Sequence, residues 1–579
     1  MLLFRCGCGP EAREGEAVTD RRWWRKTDGP RRPLARLHRA RLVVHHLPVT
    51  DSAPPLRPVS PRPASSVVLV RRGADGLEVF WVRRGEALRF AGGFFAFAGG
   101  RVDAADAALP VESQVPLEVE ERACVAAAAR ELFEETGVLA VPGAARVPEA
   151  ERRHVRALLT ERPPREPGRP AAPPPAESPF LSLLAAHGLR IDAGLFLPAG
   201  RWLTPPSVPT RFDTRFYLVE LPPGERAEVW PGELADGAWI TPRGALARWD
   251  DGSALLHPPA WHTLRCLGEP AAAAGDARAA LPALQDPQLA RWRLPIEELV
   301  VMRMEFQRGV ILVPLRTPTL PPATHTNCLL LGDDRLAVVD PGSPWPEEQQ
   351  VLDQALDLLA AEGRRATEIV LTHYHLDHVA GAMALSARLG IPIAAHAETA
   401  SRLRGEVRVD RLISDDEPLA HGPRGWRALH LPGHTLGHLC LLENGTGAVA
   451  AGDLVASGST VVIDPPEGDM QAYLRSLDRL LALGPGTVYP AHGQVVPAGA
   501  ALLRGYLAHR LEREAKVAAA LRAAFDSGGP RLPAELLPGA YADVAPALHA
   551  LAERSLLAHL LKLVADGRAT EDGGRFSPR

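Results

Sequence analysis

Cysteine is scarce in this chain of 579 residues. Six are scattered along it and only Cys6 and Cys8 stand close together, which excludes a disulfide framework and a zinc ribbon. Long apolar runs are missing as well. None approaches the roughly 18 residues that span a membrane, and the opening MLLFRCGCGP lacks the apolar centre of a secretion signal. Neither sign of charge prevails: 65 basic and 69 acidic residues leave a net charge of −4 and a pI near 6.6, which argues against a wholesale polyanion binder. Lysine is nearly absent, at three residues, against many Arg, Ala and Pro; that bias points to a GC-rich coding sequence and bears on origin, not on fold. A soluble chain in a reducing, cytoplasmic compartment is the expectation, with length for about three to four domains.

What is present is chemistry concentrated in short stretches. Thr372-His373-Tyr374-His375-Leu376-Asp377-His378 (THYHLDH) sets three imidazoles and a carboxylate within six positions. Residues 367–371 (TEIVL) read as a short buried strand, so the histidines sit where a strand ends. On an extended segment His373 and His375 point the same way, while Asp377 and His378 fall where the chain turns toward a helical stretch at 379–389. One segment can therefore begin two metal sites. A histidine-rich surface loop is the bland alternative, but H-x-H-x-D-H is rare by chance.

A zinc-type hydrolytic site needs further ligands from other strands, with one position left for water. His434 in LPGHTLGH, Asp453 in AVAAGD and His492 in TVYPAHG each follow an apolar run beside a glycine. His438 is equally a group behind the ligands or a plain surface histidine; His421 and His430 are not expected to bind metal. Zinc suits the nitrogen-rich set, with manganese or iron as alternatives.

A second signal lies upstream in Arg130-Glu131-Leu132-Phe133-Glu134-Glu135-Thr136-Gly137-Val138, closing an Ala-rich helical stretch that begins near Glu118. Glu131, Glu134 and Glu135 share one helix face, and Gly137 is placed as the C-terminal stop. Like charges on one face, at the helix end that disfavours acid, make sense if a hard cation such as Mg²⁺ (or Mn²⁺) sits there. A solvated acidic helix end is the alternative.

Punctuation divides the chain. Residues 1–62, Arg- and Pro-rich, read as a disordered leader; 63–266 form a first unit with a Pro-rich loop at 162–178; 267–294 form an Ala-rich linker; 295–498 form a second unit; and 499–579 are mainly helical.

The second unit, with Asp340 in LAVVDPG, THYHLDH, His434, Asp453 and His492, resembles the metallo-β-lactamase superfamily. That resemblance implies an αββα sandwich, His373, His375 and His434 on one ion, Asp377, His378 and His492 on the other, Asp453 as the bridge, and Asp340 as a structural aspartate below them. It implies two divalent ions that acidify a shared water, hydrolysis of an ester, thioester or phosphodiester, and Asp377 doubling as proton acceptor.

RELFEETGV matches the second half of the Nudix box, and FAGGRVD followed by an insertion of some twenty residues resembles the acyl-CoA diphosphatase branch of that family. Implied are an α/β/α sandwich, metal held by Glu131, Glu134 and Glu135, catalysis by Glu134 and Glu135, Arg130 orienting a glutamate, Gly100 in the turn, and cleavage of a diphosphate linkage. Arg83 and Arg84 could meet phosphate or face solvent; the coenzyme A signature around them and Arg89 is partial.

The tail, with Arg510, Arg513, Lys516 and Arg522 on a long helix and an end like a winged-helix module, resembles the beta-lactamase-like endoribonucleases, which cut single-stranded RNA; glyoxalase II is the competing resemblance. Those basic residues fit phosphate contacts or a solvated face equally. The fold class is therefore α/β and α+β multidomain. Two accounts of the fused pair compete: thioester and diphosphate cleavage of coenzyme A derivatives, or processing of RNA and nucleotides. A first unit that only senses a metabolite is a third.

Overall fold

A computed structural model of the chain describes residues 59–86, 88, 91–160, 178–205, 210–230, 232–286 and 304–579. The leader expected over 1–62 lies outside these up to residue 58, as do Arg89 and nearly all of the Pro-rich loop.

Alternation of buried side chains builds the N-terminal unit. Strand Arg62–Gly73 pairs antiparallel with Gly76–Arg84 and parallel with Phe212–Glu220 in a seven-stranded mixed sheet. Val67 and Leu69 face the acidic helix Val119–Thr136, while Val68 and Val70 face the opposite way, toward Trp249, Leu264 and Leu267. Helices therefore cover both faces.

The stretch expected as a linker over 267–294 is folded as far as it is described, to Asp286. Helix Pro270–Ala273, the 3-10 turn Ala277–Ala280 and helix Leu281–Gln285 lay Ala272, Ala277, Ala280 and Leu284 against the second face of this sheet. Its low complexity reflects small side chains fitting a close approach to the sheet rather than looseness. The unit is also joined to the next one. Leu256 N–H donates to the Phe306 carbonyl at 2.8 Å, and Phe94 and Leu255 enter the neighbouring core beside Phe306.

In the middle unit two sheets stack. The first, of seven strands, runs from Met304–Gln307 to Arg411–Ile413; the second, of five, runs from Glu417–Leu419 to Val488–Pro490. Leu312, Leu329, Leu331 and Val339 of the first pack on Trp426, Leu439, Leu441 and Tyr489 of the second, forming the inner core. Ile311, Leu330 and Val338, on the opposite face, take helix Pro346–Ala361, and helix Met470–Ala482 covers the outside of the second sheet. Helix, sheet, sheet, helix is the order of layers.

Helix Gly499–Gly528 ties the C-terminal module to this sandwich. Its 30 residues reach about 45 Å at 1.5 Å each. Leu503 and Tyr506 belong to the core outside the second sheet, whereas Val517 and Leu521 join Leu536, Leu556 and Phe576 in a core of their own. Helices Pro533–Ala540 and His549–Ala565 and the hairpin Ala569–Asp572/Arg575–Pro578 complete it.

The basic residues of the long helix depart from both sequence readings. Arg510 and Arg513 are 2% and 5% exposed; Arg510 donates to the Val461 carbonyl, and Arg513 to the Ala540 carbonyl and Asp543. Lys516 and Arg522 remain at the surface, as does Arg504 earlier on the same helix. No helix among the described residues is long and apolar enough to cross a membrane.

Candidate functional site

Asp340 and each of the seven expected ligands sit at or just beyond the carboxyl end of a strand. Asp340 follows Arg335–Val339, residues 372–378 follow Arg365–Leu371, His434 lies beyond Trp426–His430, Asp453 follows Val449–Gly452, and His492 lies beyond Val488–Pro490. The helix expected at 379–389 is broken into Leu376–Val379 and Ala382–Leu389. At the break Gly381 N–H donates to the Pro341 carbonyl at 2.9 Å, and only glycine fits there, since a Cβ would lie 2.5 Å from that oxygen.

The fold brings all seven expected ligands together. Nitrogen and oxygen atoms of His373, His375, His434 and Asp453 lie within 4.8 Å of one another, and so do those of Asp377, His378 and His492. His373 Nε2 and His434 Nε2 converge on His375 Nδ1 at 2.9 and 3.1 Å. Asp453 joins the two groups: Oδ1 stands 3.4 Å from His492 Nε2 and 3.7 Å from His378 Nε2, and Oδ2 stands 3.6 Å from His434 Nε2.

The far side of four of the five ligand rings is held. His373 Nδ1 meets Thr372 Oγ1 at 3.0 Å, His434 Nδ1 the Val462 carbonyl at 2.9 Å, His492 Nδ1 the His325 carbonyl at 2.9 Å, and His378 Nδ1 the Asp340 carboxylate at 2.8 Å. Such partners fix which nitrogen faces inward. Asp340, at φ 52°, also accepts from Thr372 N–H and Thr372 Oγ1–H, so it serves as a post beneath the site rather than a simple turn carboxylate. His438 is fully buried, and its Nε2 accepts the Asp453 N–H at 3.0 Å. It stands behind the cluster. His421 pairs with Glu368 and belongs to neither donor group, and His430 pairs with the Leu436 carbonyl.

Two buried atoms test the fit to metal. His378 Nε2 and Asp453 Oδ1 have no hydrogen-bond partner, an arrangement that is costly unless something binds there. Burial, reinforced by neighbouring rings, also pushes His373 far below the usual histidine range and His375 down to about 3, so both stay neutral and able to ligate. Burial opposes charge on Asp453, yet His492 and His378 outweigh it and hold the carboxylate ionised. The donors fit a dinuclear metal site.

In the N-terminal unit, Gly137 ends the acidic helix at φ 75°. Arg130, 6% exposed, donates to Asp106 through Nε at 2.7 Å and Nη2 at 3.0 Å, and reaches Glu131 at 2.9 Å and Glu134 at 3.2 Å. Glu135 accepts the Gly99 N–H at 2.9 Å, and a Cβ on Gly100 would lie 2.3 Å from a Glu131 oxygen. Burial raises Glu131, and burial together with the Glu131 charge raises Glu135 well above the carboxylate range. Among the described residues these glutamates do not form a cluster as tight as the histidine groups. Asp106, which the sequence reading missed, is buried at 1%. The D-x-x-D spacing with Asp103 after the paired glycines was its signal. Arg83 lies 3.8 Å from Glu86.

Taken together, the stacked sheets and the seven converging donors define a metal-dependent hydrolase. Residues 321–492 match the family model described as Metallo-beta-lactamase superfamily, and residues 533–576 match the Beta-lactamase associated winged helix domain; the chain belongs to the metallo-beta-lactamase superfamily. It is similar to a hydroxyacylglutathione hydrolase of Acidiphilium cryptum (strain JF-5), 35% identical over 31% of this chain and 72% of that one. An atrochrysone carboxyl ACP thioesterase of Aspergillus chevalieri is 29% identical over 34% and 60%. The matched stretch spans 58–72% of the curated relatives' lengths. Among solved structures, a NUDIX hydrolase from Alicyclobacillus acidocaldarius is 28% identical over 38% of this chain and 96% of that one, with a TM-score of 0.32.

Proposed function

We propose that the chain is a two-site hydrolase whose histidine-rich centre cleaves a small-molecule thioester and whose acidic helix supports cleavage of a diphosphate linkage. The placement of Asp453 carries the first part, since one carboxylate oxygen faces each donor group, as a bridging ligand requires. His373, His375 and His434 would hold one ion and Asp377, His378 and His492 the other, with zinc favoured by the nitrogen-rich set. When bound, such a pair supplies Lewis acidity and an acidified water.

The protein's own groups do the rest. Asp377 orients the attacking water and takes its proton; water oxygen adds to the acyl carbon and the C–S bond breaks. His438 is sealed in the interior with Nε2 committed to the Asp453 amide, so it is not placed to protonate a leaving group. A thiolate, from a thiol of pKa about 8.5, leaves without that help. Relatives named hydroxyacylglutathione hydrolase and ACP thioesterase support the same class.

For the acidic helix, the supporting observation is one arginine shared by Asp106, Glu131 and Glu134 while Glu131 and Glu135 are driven toward protonation. A hard divalent cation such as Mg²⁺, held by Glu131, Glu134 and Glu135, would favour their charged forms against that burial. An acyl thioester of a nucleotide-linked carrier, coenzyme A being the type, has both bonds.

The test is to incubate the purified protein with acyl-CoAs, dinucleotides and single-stranded RNA, with Zn²⁺ or Mg²⁺, and to identify products by mass spectrometry. Thioester release should vanish in Asp453→Ala and survive Glu134→Gln, with the reverse for diphosphate cleavage. Scission of RNA in place of thioester release would overturn the reading.

A further inference from the structure

Residues 453–469 run from Asp453 to the cap of helix Met470–Ala482 without strand or helix, yet they carry the carbonyl of Val462 that orients His434. The sandwich holds both ends of that loop, through Tyr473 O–H on the Leu454 carbonyl at 2.7 Å and Arg402 on Glu467 at 2.7 Å. Its middle is gripped by three side chains from the C-terminal helices. Tyr506 accepts the Ala456 N–H at 2.8 Å and faces the Ala456 and Ser459 carbonyls at the same distance, one of which takes its proton. Arg510 donates through Nη2 to the Val461 carbonyl at 2.5 Å. Arg554 of helix His549–Ala565 forms a two-pronged pair with Asp464 at 2.6 and 2.7 Å.

Arg510 is the unusual member. It is 2% exposed, its guanidinium lies 5.4 Å from the Tyr473 ring, and its direct bond is to a carbonyl rather than to an acid. Burying a cation this way is expensive unless its position has a use. The adjacent peptide bond supplies that use, because the Val461 carbonyl it grips is next to the Val462 carbonyl that accepts from His434 Nδ1.

We propose that the C-terminal module is a working part of the metal centre: Arg510 and Tyr506 are positioning residues that fix the ring and tautomer of His434 through loop 456–464, with Arg554 bracing its far end. The inference rests on the reading of the seven donors as a dinuclear site. It assigns the long helix a role in metal retention instead of phosphate contact.

The experiment uses the full chain loaded with Co²⁺ or Zn²⁺, with stepwise chelator competition, the visible Co²⁺ spectrum and a thermal melt. Wild type should release two ions in two steps. Arg510→Met should stay folded, hold one ion about tenfold more weakly, at the low end of the usual 10–100-fold for groups behind a ligand, and alter the Co²⁺ spectrum. Arg510→Lys, which still offers an N–H to Val461, should restore part of the loss. Tyr506→Phe and the surface change Arg554→Ala give the same readout if Arg510→Met does not fold. Two ions held at wild-type affinity with an unchanged spectrum in folded variants overturns the proposal. A wild-type protein that binds no pair of ions overturns the dinuclear reading itself.

Discussion

Replacing Asp340 by asparagine separates what holds the fold from what holds the metal. Asp340 is 2% exposed; its Oδ1 accepts Thr372 N–H at 2.8 Å, and its Oδ2 accepts Thr372 Oγ1–H at 2.6 Å and His378 Nδ1–H at 2.8 Å. Asparagine tolerates the left-handed backbone at φ 52°. Its carbonyl can keep the Thr372 N–H, but its amide then donates where the carboxylate accepted. The Thr372 hydroxyl can turn to accept. His378 can accept only by moving its proton from Nδ1 to Nε2, the nitrogen that faces Asp453 and His492. Every hydrogen bond survives, now between neutral groups, so stability should fall by only about 2 kcal/mol. Metal binding should fall by roughly 10–100-fold, about 1.4–2.8 kcal/mol, because a protonated Nε2 cannot ligate. Thermal melts and chelator competition on Asp340→Asn measure the two quantities separately. A folded variant that keeps both ions at wild-type affinity refutes the tautomer argument.

Asp106→Ala should destabilise the N-terminal unit by about 3 kcal/mol, the lower part of the range for breaking a buried pair, since Glu131 and Glu134 stay beside Arg130. A melting temperature within about 2 °C of wild type would contradict that. His257, stacked on Phe94 at 4.4 Å and edge-on to Phe306 at 5.0 Å, is pushed down to about 4 by burial and then by Arg84. Its folded pKa lies below the ordinary 6.5, so its contribution is complete above that pH and is lost as pH falls toward 4. His257→Phe should make the acid decline in melting temperature shallower across that window, and an unaltered slope would show that the imidazole does not govern it. Glu134→Gln should spare metal retention at the histidine-rich centre, as measured by chelator competition; a loss there would mean that the two sites are not independent.

The donor residues were legible because their signal is local. Histidine and aspartate at the ends of short apolar runs need only strand geometry to be read, and His373, His375 and Asp377 share one such end. Asp106 was harder, since it acts on Arg130 from 24 residues earlier in the chain. Low complexity at 267–286 looked loose because alanine lacks pattern contrast, yet alanine is what a close helix-to-sheet approach admits. Arg510 was illegible for a different reason. Its partner lies 49 residues away, and amphipathic spacing does not distinguish an arginine facing water from one facing a carbonyl.

That last case alters the balance between the two substrate classes. The RNA account leaned on a basic helix beside the dinuclear centre, and its two central arginines are turned inward, one to Val461 and the other to Asp543 and Ala540. Lys516 is itself paired with Glu512 and Asp543, so the electrostatic surface left for a phosphate backbone on this helix face is small. Nucleic-acid affinity rests on several unneutralised cations acting together, and each phosphate contact adds to its salt dependence. With Arg510, Arg513 and Lys516 committed to carbonyls and carboxylates, Arg504 and Arg522 are the exposed arginines this helix keeps. The same commitment braces loop 456–464 and, through it, His434, so the arginines that weaken the case for RNA serve a rigid, preorganised centre instead.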